Sequence, residues 1–167
     1  MCAHTQPVTG DAACDTVRRL LLAALPLRSP ESARLVETLA RSGGLIDDAQ
    51  RFATDVGMRS RYQVARVLRR EGLPQLEALA AWVRILRWLI LWESGSASLS
   101  RMALDAGLET SVCCRTIRRL TGATWTEARE RGSNWALLLL VERCRSLAAT
   151  AIEPSSRPNR GGIIRSA

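Results

Sequence analysis

AQRFATDVGMRSRYQVARVLRREG, from Ala49 to Gly72, aligns with LSRMALDAGLETSVCCRTIRRLTG, from Leu99 to Gly122, when the chain is slid against itself by 50 positions. Arg51 and Arg101, Ala53 and Ala103, Asp55 and Asp105, Gly57 and Gly107, Arg69 and Arg119, and Gly72 and Gly122 are identical. Phe52 with Met102, Met58 with Leu108, and Ser60 with Thr110 are chemically alike. The shared glycines matter most, because glycine is the residue that accepts a positive φ at a helix end or tight turn.

Each copy predicts a short helix, a glycine turn and a second helix of about three turns, the parts of a helix-turn-helix. Ala53 and Ala103 allow the two helices to cross closely. Met58 and Leu108 are placed to plug the gap beneath the turn, and Ser60 and Thr110 suit the N-cap of the second helix. In the first copy Val64, Val67 and Leu68 form the buried stripe, leaving Arg61, Tyr62, Arg66, Arg69 and Arg70 on the free face. In the second, Cys113, Ile117 and Leu120 recur at i, i+4 and i+7, leaving Ser111, Cys114, Arg115, Arg118 and Arg119 outward. The two stripes fall one position apart under the shift, which predicts one extra residue near Arg59.

Outward from the repeat, the pattern stays helical. Val17, Leu20, Leu21 and Ala24 recur at helical spacing, Pro26 to Pro30 breaks that helix, and a second reaches about Ala40. Residues 1–44 are therefore expected to form a tail and a short helical lid. The first helix-turn-helix takes 45–73, a linker helix 74–96, the second unit with a closing helix 97–132, and a C-terminal helix 133–150. Residues 151–167, rich in Pro, Ser, Gly and Arg, read as a disordered basic tail. No stretch alternates in the manner of a strand, so the fold class is all-α.

The 167 residues suffice for one core, or for two very small ones. Twenty-four basic residues, all arginine, stand against 16 acidic ones, and the net charge of +8 favours a polyanionic partner. The five cysteines, Cys2, Cys14, Cys113, Cys114 and Cys144, have no metal-ligand spacing, and the single histidine, His4, sits in the tail. Neither a metal nor a cofactor is expected, and the reduced thiols suit the cytoplasm. The most apolar run, Ala80 to Trp92, is interrupted by Arg84 and Arg87, so no membrane span is expected. Trp82, Trp88, Trp92 and Trp135, the last with Leu137 to Val141, read as packing residues. Asp47 and Asp48 lie at a helix start, where negative charge complements the dipole. No nucleophile and base pair, phosphate loop or metal motif accompanies them, so no enzymatic activity is expected.

The second copy and its extension, SLSRMALDAGLETSVCCRTIRRLTGATWTEAR, resemble the C-terminal DNA-binding domain of the bacterial AraC family. Ala103, Gly107, Leu108, Thr121, Gly122, Thr124, Glu127 and Arg129 carry the likeness. Thr124 and Glu127 also make a capping box. Trp125 and Ala128 depart from that family's usual proline and aromatic residue.

The resemblance implies a transcription regulator with two helix-turn-helix units joined by one long helix. The linker here, about 19 residues at ~1.5 Å each, would span about 28 Å. That approaches the ~34 Å between successive major grooves on one DNA face. One monomer could therefore read two adjacent grooves of double-stranded DNA. Arg61, Tyr62 and Arg66, with Thr110, Ser111, Arg115 and Arg118, are the expected groove residues. Arg69, Arg70 and Arg119 suit phosphates, which position a protein without specifying sequence.

RNA polymerase or a regulatory protein is a further expected partner, and the oligomeric state expected is a monomer or weak dimer. The short region ahead of the first unit cannot form a sugar-binding barrel, so a small-molecule pocket of that kind is not expected. The competing reading is an all-helical protein-interaction module that keeps the fold without reading DNA sequence.

Overall fold

The computed structural model describes residues 9–152, with Ala151 and Ile152 described by backbone alone. Cys2, His4 and the expected tail beyond Ile152 lie outside the described residues. The described residues form eight helices, in order α1 (Gly10–Ala24), α2 (Pro30–Arg41), α3 (Ala49–Asp55), α4 (Arg61–Arg70), α5 (Leu76–Glu93), α6 (Leu99–Asp105), α7 (Thr110–Thr121) and α8 (Trp125–Ile152). The described residues contain no strand, and the fold is all-α.

The centre of the molecule is α5. Leu79, Val83, Leu86, Trp88 and Leu89 are buried on every side of it, and Trp82 is only 2% exposed. A helix apolar all round must be enclosed, and α5 packs against α1, α2, α4, α6, α7 and α8. It therefore serves as the core of the whole assembly and not as an open strut between two units. Trp92, at its end, meets Trp125 edge to face at 6.0 Å, and the Arg129 guanidinium lies 4.8 Å from the Trp92 ring centre.

The N-terminal helices belong to this same core. Val17 and Leu21 of α1 and Leu35, Val36 and Leu39 of α2 are fully buried, each large side chain contributing about 1.5–3 kcal/mol. Helix α2 begins with Pro30 in its first turn behind a Ser29–Ser32 capping box. A buried carboxylate ties it to the first repeat. Glu71, 3% exposed, accepts the Arg28 backbone N–H at 2.7 Å and the Ser29 hydroxyl at 2.9 Å. These two helices are thus integral, and "lid" understates them.

Helix α8 opens on the expected capping box. The Thr124 backbone N–H donates to Glu127 Oε2 at 2.7 Å, and the Glu127 N–H donates to Thr124 Oγ1 at 3.3 Å. The Thr124 N–H and, at 2.9 Å, its hydroxyl both donate to the Glu127 carboxylate and hold it below its ordinary pKa, with Arg131 and Arg118 adding to the effect. The helix breaks at Gly132 (φ 82°, ψ 176°) and restarts at Ser133. There Glu93 of α5 accepts both the Ser133 N–H and, at 2.8 Å, its hydroxyl, satisfying donors that the break would otherwise orphan. Beyond it Ala136, Leu140 and Cys144 form the buried stripe at i, i+4 and i+8. Leu138 is 68% exposed, so the apolar run around Trp135 is only partly packing. No helix is long and apolar enough to cross a membrane among the described residues.

Candidate nucleic-acid interface

The two halves of the repeat form two helix pairs, α3 with α4 and α6 with α7. Their first helices begin and end alike. Asp48 and Ser98 cap the N-termini through Arg51 N–H at 2.7 Å and Arg101 N–H at 3.3 Å. At the C-termini the chain turns through Gly57 (φ 76°) and Gly107 (φ 65°). Gly57 N–H donates to Thr54 O at 2.9 Å and Met58 N–H to Ala53 O at 2.8 Å. Gly107 to Leu104 at 3.0 Å and Leu108 to Ala103 at 2.9 Å repeat the pattern. Both are Schellman endings, in which a left-handed residue lets two successive N–H groups satisfy the last carbonyls. Ala53 and Ala103, fully buried, allow close approach of the partner helix.

The turns then diverge by the one residue that the stripes require. From Gly57 the next helix starts at Arg61, whereas from Gly107 it starts at Thr110. The longer turn is held by Gln50, which donates to Arg59 O and accepts from Arg61 N–H, both at 3.2 Å. Ser60 caps α4 through Gln63 N–H at 3.3 Å. Thr110 does not cap α7: the missing residue shifts Glu109 into the cap position, and its side chain makes no capping bond. Glu109 instead accepts from the Ser111 hydroxyl at 3.2 Å.

On α7, Cys113 and Ile117 face the core, while Leu120 is half-buried. Ser111, Arg115 and Arg118 lie at i, i+4 and i+7 on the opposite side, all exposed. Arg119 turns to the flank, where it shares a cleft with Trp82, Glu142 and Arg143. Its charge, after burial, helps keep Arg84 of α5 below its ordinary pKa. Thr110 is half-buried at the helix start, and Cys114 is exposed beside the arginines.

On α4, Val64, Val67 and Leu68 are buried as the stripe requires, and Arg61, Tyr62, Arg66, Arg69 and Arg70 are exposed. Tyr62 is 68% exposed. The Arg61 guanidinium donates to the Tyr62 hydroxyl at 3.3 Å and lies 5.1 Å from its ring centre, which raises the arginine pKa and lowers that of the phenol. Arg70 is committed to the protein, since it pairs with Glu31 at 3.1 Å and Glu71 at 3.6 Å. A phosphate would have to compete with both carboxylates. Among the described residues Arg66, Arg69, Arg115, Arg118 and Arg119 form no ion pair within 4 Å.

The structure thus brings the candidates together as two separate faces, one on each pair, with Arg70 and Arg119 displaced to the flanks. It also reveals what periodicity missed. The C-terminal turns of α8 reach the turn that follows α4, with Ala148 against Gly72 and with Leu147 and Thr150 lining a groove that Arg61 and Arg69 also line. The small side chain of Ala148 is what permits that close approach. Leu104 of α6, 70% exposed, was missed as well.

The thiols of Cys14, Cys113 and Cys144 are pushed up by burial, that of Cys144 to about 11. No group of three or more His, Cys, Asp or Glu among the described residues could hold a metal. No protein-family model, no curated protein and no solved structure matches the chain.

Proposed function

We propose that the protein is a sequence-specific double-stranded DNA-binding transcription regulator of the AraC type, with α7 as its leading recognition helix. One observation carries this reading: Ser111, Arg115 and Arg118 stand in line on the exposed side of a helix anchored through Cys113 and Ile117, without an ion-pair partner among the described residues. Arginine in that setting can present its fork to guanine O6 and N7, while a serine hydroxyl serves either base edge. Helix α4 would add Tyr62, Arg66 and Arg69 at a second site. The 18 residues of α5 between the pairs correspond to about 27 Å of helix, compatible with neighbouring grooves on one DNA face.

A second reading is a helical module that meets another protein, for which the exposed Leu104 and Leu138 are available contact points. The regulator reading also has room for such contacts, with RNA polymerase or a regulatory protein.

Selection of bound sites from random duplex DNA separates the two readings. The regulator enriches a motif with half-sites about one helical turn apart, and Arg115→Ala relaxes the preference within one half-site. Sequences that stay random after repeated rounds would refute sequence reading.

A further inference from the structure

A groove of about 580 Å³ runs along one side of α4, within the ~300–1,000 Å³ of small-molecule sites. Its floor is apolar, built from Leu68, Leu73 and Leu76 together with Leu147 of α8, and Ala65 leaves it open. Arg61 and Arg69 also line it, and among the described residues Glu77 is the single carboxylate in the lining. No local pattern marks this cavity, because the wall opposite α4 comes from α8, some eighty residues further along the chain.

We propose that this groove binds a small amphipathic carboxylate, with the apolar body on the leucine floor and the anionic head on Arg69. The chemistry of the lining selects that class. A wholly polar anion would leave the leucines wet, and a neutral apolar molecule would make no use of the two guanidinium groups, which outnumber the single Glu77 carboxylate. Arg69 is the better placed head-group partner. It has no ion pair among the described residues, whereas Arg61 is already held over Tyr62.

The occupied groove would claim Tyr62 and Arg69, which α4 also offers to DNA. Ligand and DNA would then compete at the first helix pair while α7 stays free. This consequence rests on the DNA reading above; the binding of the carboxylate does not.

Titration of the full chain with 8-anilinonaphthalene-1-sulfonate, an aromatic anion that brightens in apolar sites, tests the groove directly. Saturable binding of one probe per chain is expected, with displacement by decanoate but not by decanol. Ala65→Trp, which fills the groove from an exposed position, should abolish the signal at unchanged helicity. Arg69→Ala should weaken it about tenfold, the effect of losing a charge-assisted contact, and Arg19→Ala on α1 should leave it alone.

Equal displacement by decanol, or signals indifferent to Ala65→Trp and Arg69→Ala, would overturn the proposal. So would probe release on raising the protein concentration, which would mark a second copy as the occupant. A chain that binds the probe in this pattern but never binds DNA would refute the regulator reading and leave the site standing.

Discussion

Gly72→Ala and Gly122→Ala form a matched pair of perturbations that isolates the contact between α8 and the turn joining α4 to α5. Both glycines lie in the left-handed region, at φ 69° and 74°, where a Cβ costs about 1–2 kcal/mol. Their surroundings differ. A Cβ on Gly122 would meet nothing within 4 Å, whereas on Gly72 it would stand 2.8 Å from Ala148 Cβ, 3.1 Å from its Cα and 3.2 Å from its N. Two of those atoms are helix backbone and cannot rotate away, so forcing the atom in adds an overpacking cost of about 1–3 kcal/mol. Gly122→Ala should therefore cost about 1–2 kcal/mol, and Gly72→Ala about 2–5 kcal/mol.

Urea unfolding followed by far-UV circular dichroism would read the difference as a shift in midpoint at constant slope. Equal shifts for the two variants would refute the reasoning, because they would mean that Ala148 of α8 does not press on the turn at Gly72. A changed slope for Gly72→Ala would point instead to partial detachment of α8 in the native state.

Removing the buried Glu71 carboxylate with Glu71→Ala leaves the Arg28 N–H and Ser29 hydroxyl without their acceptor, and should cost about 2–4 kcal/mol; chemical denaturation that finds under 1 kcal/mol would contradict the tie between α2 and α4. Arg87→Met should be neutral or slightly stabilising in a thermal melt, because the Arg87 Nε is buried without an acceptor while its stem packs near Gly43; a large loss of stability would show that the guanidinium is satisfied. Alkylation at pH 8 followed by peptide mass spectrometry should label Cys114 first among the four described cysteines and Cys144 last. The raised Cys144 pKa keeps that thiol protonated far above pH 8, and only the thiolate reacts. Fast labelling of Cys144 would place α8 away from the core.

Much of this arrangement is legible in the sequence because it depends on local rules. Glycine after a small buried alanine specifies a Schellman ending, and both copies form one. The offset between the Val64 stripe and the Cys113 stripe specifies a turn one residue longer in the first copy, and Gln50 is what holds it. Thr110 shows the limit of such reasoning. It aligns with Ser60, yet the shorter turn moves the cap one position back, to Glu109, and similarity of residue type does not carry over the shift.

What stayed hidden is long-range. Periodicity finds the apolar face of α1 and of α2 but not what covers it, so those helices read as a lid when they share the core of α5. The apolar circumference of α5, with Trp82 and Trp88 on different sides of the helix, was the available clue to its enclosure. The seat of α8 on the turn after α4 depends on Ala148 meeting Gly72, a contact between residues 76 positions apart that no window of sequence contains. The commitment of Arg70 to Glu31 and Glu71 was hidden for the same reason, which is why its side chain read as free.

The central claim, that the arginine faces of α7 and α4 bind DNA, is tested most directly by titrating the protein against bulk duplex DNA over a series of salt concentrations. Binding should weaken steeply as salt rises, with a log–log slope of about −0.9 for each phosphate neutralised. Charge reversal at Arg115 and Arg66 should weaken the binding further and flatten that slope. Negligible affinity at low salt, or binding indifferent to both reversals, would contradict the account.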